Sequence, residues 1–564
     1  MAATDPSKIP DVFWDYIFVG GGLAGSVVAH RLRQSDPSLK ILIVEAGQDA
    51  RNRTDILWPN LSPTLAGGDF DWKDKSVSQS YLDGRTVDIP NGKALGGGTV
   101  INSGGWIRGD KFDYDLWGSV TNDARWSYAG QLPFMRKTEK FWNDTINPDQ
   151  HGHDGPMLIQ TGTSIKQKFP LRDPALKSWA ELGINPLPDL DANAGNPLGV
   201  AEIQVNRMEG KREIAPAVYP LDGVTIMTET LVEKVLIENA ASEEDGAKAV
   251  AVGIRLANGT EVRGQEVIVT AGGVRTPQVL MLSGVGPAAE LSKFGISVRV
   301  DNPDVGQNLA DHGLFLYSWK VKNPEDGWAL GSPNPLFKEP QYSWGHPFDL
   351  IVSSDVDKKG LAAAIAEDEG VVPDPSKHPL LANDRTFVEY VSMYAGAADG
   401  SRITLGIITM LTTSRGSIKL ASSDVNVAPL IDPNLLGTAV DRYVVREGVK
   451  THVKFAGSNA TALGEILDGE AGAPGFEGVL SLDSPDEYID ARIRAGFGTS
   501  FHPMGTAAMG KVVDNNLNVK GVKNLRVVDT SVFPVVITGH LQVATYALAE
   551  QAAEIIYADR GKSV

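Results

Sequence analysis

The chain has 564 residues, which is too long for one ordinary core and predicts two packed regions. Of these residues 42% are hydrophobic and 22% charged, a balance typical of a soluble globular protein. This composition excludes a disordered chain, a collagen and a coiled coil. The sequence contains no uncharged apolar run of about 18 residues, so no membrane span is predicted. The 52 Lys and Arg residues against 70 Asp and Glu give a net charge of -18, which disfavours a nucleic-acid partner. Because Cys is absent, disulfides, thiolate nucleophiles, Cys-ligated zinc and iron–sulfur clusters are excluded.

The amino-terminal residues 1–10 lack the apolar segment of a signal peptide, and a strand-like run begins at Tyr16. We therefore predict a cytoplasmic protein, and a reducing compartment fits the absence of Cys. The alternative is a secreted mature chain whose signal was removed. Asn-x-Ser/Thr triplets, the glycosylation acceptors of secreted proteins, begin at Asn52, Asn60, Asn143, Asn258 and Asn459.

Short β-branched runs followed by Gly, Ala or Asp are typical of buried parallel strands. They lie at residues 16–19, 41–44, 266–269 and 525–528. Helical patterns follow the first and the last of these runs, at residues 24–34 and 541–557. Both ends of the chain therefore predict one doubly wound α/β unit.

The middle of the chain has a different pattern. Residues 311–500 are rich in Pro, Trp and charged turns, and alternating segments such as 404–408 predict an antiparallel sheet with helices. The acid-rich stretch 239–246 predicts a hairpin loop. We expect an α/β chain (α+β overall) in which a doubly wound nucleotide-binding domain, built from discontinuous segments, is joined to a second domain with an antiparallel sheet and helices.

A glycine-rich loop connects the first strand to the first helix. Gly20, Gly22 and Gly25 fit the G-x-G-x-x-G pattern, in which they allow a tight turn, backbone approach to a pyrophosphate and close helix–strand packing. Glu45 ends the next strand and is placed to accept hydrogen bonds from a ribose diol. Its charge favours NAD or FAD over NADP; a glycine-rich turn without a ligand is the alternative.

A second glycine cluster lies at residues 92–102 and includes three consecutive glycines at 96–98. Such density predicts backbone pressed against a flat or bulky ligand, with a solvent-exposed turn as the alternative.

The segment 92–115 resembles the first signature of the glucose–methanol–choline (GMC) oxidoreductases. Residues 272–286 are similar to the second signature, although Gly273 stands where the family prefers Pro, Ser, Thr or Ala. Further matching segments are residues 305–312, 414–416 and 501–506. The resemblance covers nearly the whole chain and extends to fungal aryl-alcohol-oxidase-like members, which share Phe501.

The resemblance implies that the chain binds FAD. The cofactor-binding residues would be Gly20, Gly22, Gly25, Glu45, Gly97, Gly98, Asn102, Val232, Asp529 and His540. The first four would serve the ADP half, with Val232 near the adenine. Some family members link the flavin covalently through a His just before the Asn of the first signature. Ile101 stands at that position and Cys is absent, so a non-covalent, dissociable FAD is predicted.

The chain is expected to divide into two discontinuous domains. We assign residues 1–49, 85–115, 196–310 and 501–564 to the FAD-binding domain. We assign residues 50–84, 116–195 and 311–500 to the substrate-binding domain.

Two histidines near the carboxyl end of the chain are candidate acid–base groups. Alcohol oxidation needs a base for the hydroxyl proton while a hydride leaves carbon, and an imidazole with a pKa of about 6.5 can be that base. The resemblance implies that His502 is the catalytic base and that His540 orients the substrate hydroxyl. The two roles could be shared or exchanged, and one His could instead be a core residue.

The other histidines considered are assigned no catalytic role. His312 is predicted to be structural, and His151, His153, His346 and His378 are predicted to be exposed in loops. The first two of these loop residues could suggest a metal, but the family has a glycine-rich turn there, so no metal site is predicted.

The resemblance also bears on the substrate. Glucose-oxidising relatives carry Arg and Asn where this chain has Gly498 and Ser500, so the pocket should discriminate poorly for a polyol. Candidate aromatic walls are Phe70, Trp72 and Trp106, any of which could equally be core. We predict a primary alcohol on an aromatic or apolar framework.

The predicted function is FAD-dependent oxidation of a primary alcohol to an aldehyde, with O2 or a quinone-like acceptor reoxidising the flavin. The main alternative is a non-redox lyase or cyclase on the same scaffold, which would use the His pair as acid and base. An FAD-bearing binding protein and an NAD dehydrogenase are further alternatives. Neither a nucleic acid nor a membrane is an expected partner, and the oligomeric state stays open.

Overall fold

The structure is a computed structural model that describes residues 9, 11–58, 65–239 and 249–560. Residues 240–246 of the predicted hairpin loop lie outside these ranges. Within the described residues, no helix is both long and apolar enough to span a bilayer.

Both ends of the chain contribute to one eight-stranded sheet. Its parallel strands, in spatial order, are Thr225–Met227, Ile41–Val44, Trp14–Val19, Glu261–Val269 and Leu525–Val527. The antiparallel strands Ala249–Leu256 and Val232–Asn239 extend the sheet, and Val522–Lys523 pairs with the former. The predicted doubly wound unit is confirmed.

The strand predicted at residues 266–269 begins earlier, at Glu261. Its first half alternates between exposed and buried residues, whereas its last three residues are all buried. The sequence pattern identified only the half that is covered on both faces, because alternation over so few residues is a weaker signal than a continuous apolar run.

A second, seven-stranded antiparallel sheet is formed mostly by the middle of the chain. Its strands are Gly199–Glu202, Gly313–Val321, Leu350–Ser354, Val388–Gly396, Arg402–Thr409, Leu467–Glu470 and Gly498–Thr499. The alternating segment 404–408 lies in this sheet, as predicted. Gly199–Glu202 belongs to a stretch that we assigned to the FAD-binding domain, yet it pairs with Leu350–Ser354. The domain boundaries stay a prediction.

Helices cover the two sheets. Those of ten or more residues are Leu23–Ser35, Lys111–Thr121, Tyr128–Thr138, Arg172–Glu181, Gly272–Leu282, Lys358–Glu369, Ala439–Gly457, Asp486–Gly496 and Gln542–Arg560. Shorter helices are Thr54–Leu57, Gly98–Ile101, Ala215–Val218, Ala288–Lys293 and Ala462–Ile466. The first and last helices, both predicted, pack against each other.

Short strands lie outside the two large sheets. They are Gln48–Asp49, Asp74–Lys75, Asp88–Ile89, Ala94–Leu95, Glu139–Phe141, Met157–Ile159, Arg207–Met208, Lys211–Arg212, Val285–Gly286, Val300–Asp301, Gln307–Leu309, Gly416–Lys419 and Leu430–Asp432.

Candidate active site

The carboxyl ends of the central parallel strands meet at one edge of the first sheet. Val19 is in register with Val44 and Val269, and Val269 is in register with the final residue of the Leu525–Val527 strand. The residues that follow these ends line a cavity of about 700 Å³, which reaches across to the second sheet. This is where open α/β sheets bind ligands.

The two glycine clusters meet at this cavity through their backbones. Gly20 has a φ of +104°, and a Cβ there would lie 2.7 Å from the Thr270 carbonyl oxygen. A Cβ on Gly97 would lie 2.8 Å from the Cα of Gly22. Gly25 does not line the cavity; a Cβ there would lie 2.5 Å from the Gly20 carbonyl oxygen, so this glycine allows the helix to pack on the strand.

Glu45 forms part of the cavity wall and is itself buried. Its carboxylate accepts hydrogen bonds from the backbone N–H groups of Gly21 and Gly47, both at 2.8 Å. Burial raises the pKa of Glu45 to about 7, against the opposing effect of these hydrogen bonds. A polar ligand group that donates to Glu45 would therefore meet an acceptor already held in a fixed orientation.

The other predicted cofactor residues also line the cavity: Gly98, Asn102, Val232, Asp529 and His540. The Asp529 carboxylate accepts hydrogen bonds from the backbone N–H of Gly272 and the hydroxyl of Thr276, so it holds the start of the Gly272–Leu282 helix. Ile101, at the position of the covalent His in some relatives, faces the cavity with an apolar side chain.

His502 stands at the cavity wall, held by its neighbours on the chain and in space. Its Nδ1 lies 2.9 Å from Nδ1 of His312 and 3.2 Å from the Ser500 hydroxyl, and its backbone N–H donates to Asp311 at 2.8 Å. Phe501, just before it, has a φ of +68°, a strained value for a bulky residue. No hydrogen-bond partner of the His502 Nε2 lies among the described residues, so this nitrogen is left for a ligand.

His540 lies beside His502, with the two ring centroids 5.3 Å apart. Its Nε2 is 2.9 Å from the carboxylate of Glu389, a side chain that is only 1% exposed. The two histidines therefore differ in their partners, since His502 touches a second imidazole and His540 touches a buried carboxylate.

This difference separates the pKa values of the two imidazoles. Burial, aided by the neighbouring His312 and His540, holds the pKa of His502 well below its usual value. Burial also acts to lower the pKa of His540, but the charge and hydrogen bond of Glu389 outweigh it and leave that pKa raised. At neutral pH, His502 is a neutral acceptor and His540 is biased towards the imidazolium donor.

Sequence reasoning missed Glu389 and the contact of His312 with His502. Glu389 is the single acid in the strand Val388–Gly396, and an isolated acid in an otherwise apolar run is a signal for a paired buried charge. His312 was predicted to be structural; it is fully buried, and its ring touches the predicted base directly.

The predicted aromatic walls separate into two groups. Phe501 and Trp72 line the cavity. Phe70 and Trp106 are 5% and 0% exposed and belong to the core, and the indole N–H of Trp106 donates to Glu139. A large aromatic side chain gives no sequence signal that distinguishes a cavity wall from a packed core.

The prediction that four loop histidines are exposed is wrong. His151 is completely buried, stacked on Phe141, with its ring nitrogens 3.2 Å from Glu139 and Asp191. The others, His153, His346 and His378, are partly buried. These loops are packed against the body of the protein, which their Gly and Pro content does not reveal. Among the described residues, no cluster of three or more His, Asp or Glu is placed to hold a metal ion.

The chain matches the GMC oxidoreductase family over residues 14–314 and 412–549. It belongs to this family. It is 34% identical to the GMC-type oxidoreductase acuG of Aspergillus aculeatus over 552 residues, and this match covers 97% of this chain and 99% of that protein. It is 29% identical to pyranose dehydrogenase 3 of Leucoagaricus meleagris, over 98% and 94% of the two chains. A solved fungal aryl-alcohol oxidase shares the fold, with a TM-score of 0.79 at 23% identity over 97% and 99% of the chains.

GMC oxidoreductases bind FAD and act on CH–OH groups, so this chain is an FAD-dependent oxidoreductase of that class. The cavity fits the cofactor on its own evidence. Its walls include bare glycine backbone at Gly20 and Gly97, where a Cβ would collide with the protein, and a buried acceptor at Glu45. The resemblance seen in the sequence is thus confirmed.

Proposed function

We propose that this GMC oxidoreductase oxidises a primary alcohol to the aldehyde, with His502 as the base that takes the hydroxyl proton. The strongest support is that two adjacent histidines have different partners. His502 is neutral and its Nε2 is open to the cavity, whereas His540 is paired with the buried Glu389. One imidazole can accept a proton while the other donates a hydrogen bond.

The chain's own residues account for the proton steps. His540 donates to the substrate oxygen and holds it against His502, whose Nε2 takes the hydroxyl proton. When bound, FAD supplies the acceptor for the hydride that leaves the carbinol carbon. Glu45 and the loops at Gly20–Gly25 and Gly97 would hold the cofactor. O2, giving H2O2, or a quinone-like acceptor then removes the two electrons.

The walls of the cavity support an aromatic or apolar alcohol. Phe501 and Trp72 lie in the wall together with Leu314, Leu316 and Met393. The relative named pyranose dehydrogenase makes a sugar the second candidate substrate. Ser500 stands where glucose-oxidising relatives have Asn. Its hydroxyl already hydrogen-bonds the His312 carbonyl oxygen and His502 Nδ1, so it is not free to bind a sugar hydroxyl, which disfavours the sugar.

Anaerobic mixing of the purified holoenzyme with a panel of benzylic alcohols, aliphatic alcohols and sugars tests the proposal. We expect primary alcohols to bleach the visible flavin absorption and to yield the aldehyde in equal amount. A spectrum that no member of the panel bleaches, combined with turnover of a cyanohydrin, would instead favour the lyase. Bleaching by sugars alone would overturn the substrate class.

Replacing Glu389 with glutamine is expected to slow flavin reduction at neutral pH by roughly tenfold to a hundredfold, since hydrogen bonds to charged groups contribute about 1.5–3 kcal/mol. With its pKa raised, the imidazolium of His540 is present at low pH and lost as the pH rises through that value. Without the carboxylate the pKa of His540 falls, so the loss of activity begins at a lower pH.

The measurement is the pH profile of the anaerobic flavin-reduction rate. Glu389→Asp, which keeps the charge, should retain more of the activity at high pH than Glu389→Gln does. An identical basic limb in Glu389→Gln and the parent protein would contradict the role of the pair, whatever the absolute rates.

A further inference from the structure

A second, smaller cavity of about 50 Å³ adjoins the candidate active site. It shares Ser103, Gly105, His346 and His540 with the large cavity, so His540 lies in the wall of both. A volume of this size holds a few water-sized groups and is too small for a second ring. A substituent of the bound substrate would fit it.

Arg207 lines this small cavity and is only 5% exposed. Among the residues that the structure describes, its guanidinium makes one hydrogen bond, from Nη2 to the Ser103 carbonyl oxygen at 2.5 Å, and no ion pair. Four other buried arginines are paired with carboxylates: Arg108 with Glu139, Arg172 with Glu202, Arg385 with Asp113 and Arg492 with Glu470. A buried charge without a counter-charge is costly, so Arg207, unlike these four arginines, calls for an anionic partner.

The surroundings of Arg207 leave its charge uncompensated. The walls of the small cavity include the apolar side chains of Ile203, Val205 and Phe348. Burial, and then the charges of Arg207 and neighbouring Arg212, lower the pKa of His346 to about 4, so this imidazole is neutral. The small cavity is therefore a positive site with low-dielectric walls, in which an anion is bound more strongly than in water.

We propose that the substrate of this enzyme is an alcohol that also carries a carboxylate, and that Arg207 binds this carboxylate in the small cavity beside His540. The planar guanidinium matches a carboxylate in a two-point hydrogen-bonded pair. This assignment rests on the proposed alcohol oxidation, because it places the carbinol at His502 and His540 and the acid group at the adjoining cavity. Arg207 is thus a specificity-determining residue.

Matched substrates test the proposal: ortho, meta and para (hydroxymethyl)benzoate, each beside its neutral carboxamide. For at least one isomer we expect the carboxylate to have a kcat/KM roughly tenfold to a hundredfold above that of the amide. In Arg207→Gln the ratio should fall to about one. Arg263→Gln, which removes a half-exposed arginine that is paired with Glu238, should keep the parent ratio. No preference for any carboxylate in the parent enzyme would overturn the proposal.

Binding without turnover separates this proposal from the proposed function. Benzoate and benzamide are titrated into the oxidised holoenzyme, and the shift in flavin absorption reports occupancy. Benzoate should bind at least tenfold more tightly than benzamide. If no alcohol reduces the flavin but benzoate is preferred, alcohol oxidation fails while the anion site stands. Equal binding of the two overturns the anion site even if neutral alcohols are oxidised. Both titrations use the parent protein, so they hold even if Arg207→Gln does not fold.

Discussion

Replacing His502 with alanine should slow the reduction of bound flavin by alcohol by about a hundredfold to ten-thousandfold, the range for losing a general base. His502 is a neutral base with a nitrogen open to the cavity, and its ring lies beside the rings of His312 and His540. FAD should stay bound, because the substitution leaves the glycine loops and Glu45, which would hold the cofactor, unchanged. Anaerobic stopped-flow at saturating alcohol measures the rate, and the flavin spectrum reports the bound cofactor.

His378→Ala is the matched control for the loss of an imidazole. That residue contacts Glu369 at the surface and does not line the cavity, so its removal should leave flavin reduction close to the parent rate. Near-normal reduction in His502→Ala would refute the assignment of His502 as the base. If His540→Ala were inactive while His502→Ala stayed active, His540 would be the base that takes the hydroxyl proton.

Replacing Gly97 with alanine should weaken FAD binding by roughly fivefold to a hundredfold or more, and the protein should be purified largely colourless. Gly97 has φ +52° and ψ -131°, a backbone conformation that residues with a Cβ rarely adopt. The added Cβ would also lie 2.8 Å from the Cα of Gly22 and push the two glycine loops apart. The ratio of flavin to protein absorbance, followed by titration with FAD, measures the loss.

Gly183→Ala separates backbone strain from the loss of the cofactor cradle. Gly183 also has a positive φ, of +84°, but a Cβ there would meet no atom within 4 Å, and the residue follows a helix away from the cavity. This variant should lose about 1 kcal/mol of stability and keep its FAD. Full FAD occupancy in Gly97→Ala, at a melting temperature like that of Gly183→Ala, would show that the contact between the loops is dispensable.

The sequence alone determined the central strands, the flanking helices and the glycine loops of the nucleotide-binding half of this protein. The strand Ile41–Val44 has the bounds predicted for it, and the helices Leu23–Ser35 and Gln542–Arg560 differ from their predicted bounds by at most a few residues. Buried parallel strands and glycine loops are encoded by neighbouring residues, so their signals are local. The family signatures are also runs of adjacent residues, and they were sufficient to predict FAD and the His pair.

Only the tertiary structure brought together the partners that set the chemistry. His502 meets His312 across 190 positions of sequence, and His540 meets Glu389 across 151. The role of Arg207 could not be predicted either, because the sequence does not distinguish a buried, unpaired arginine from an exposed one. The protonation state of a side chain depends on the charges and the water around it in space, and residues so far apart are brought into contact only when the two sheets pack together.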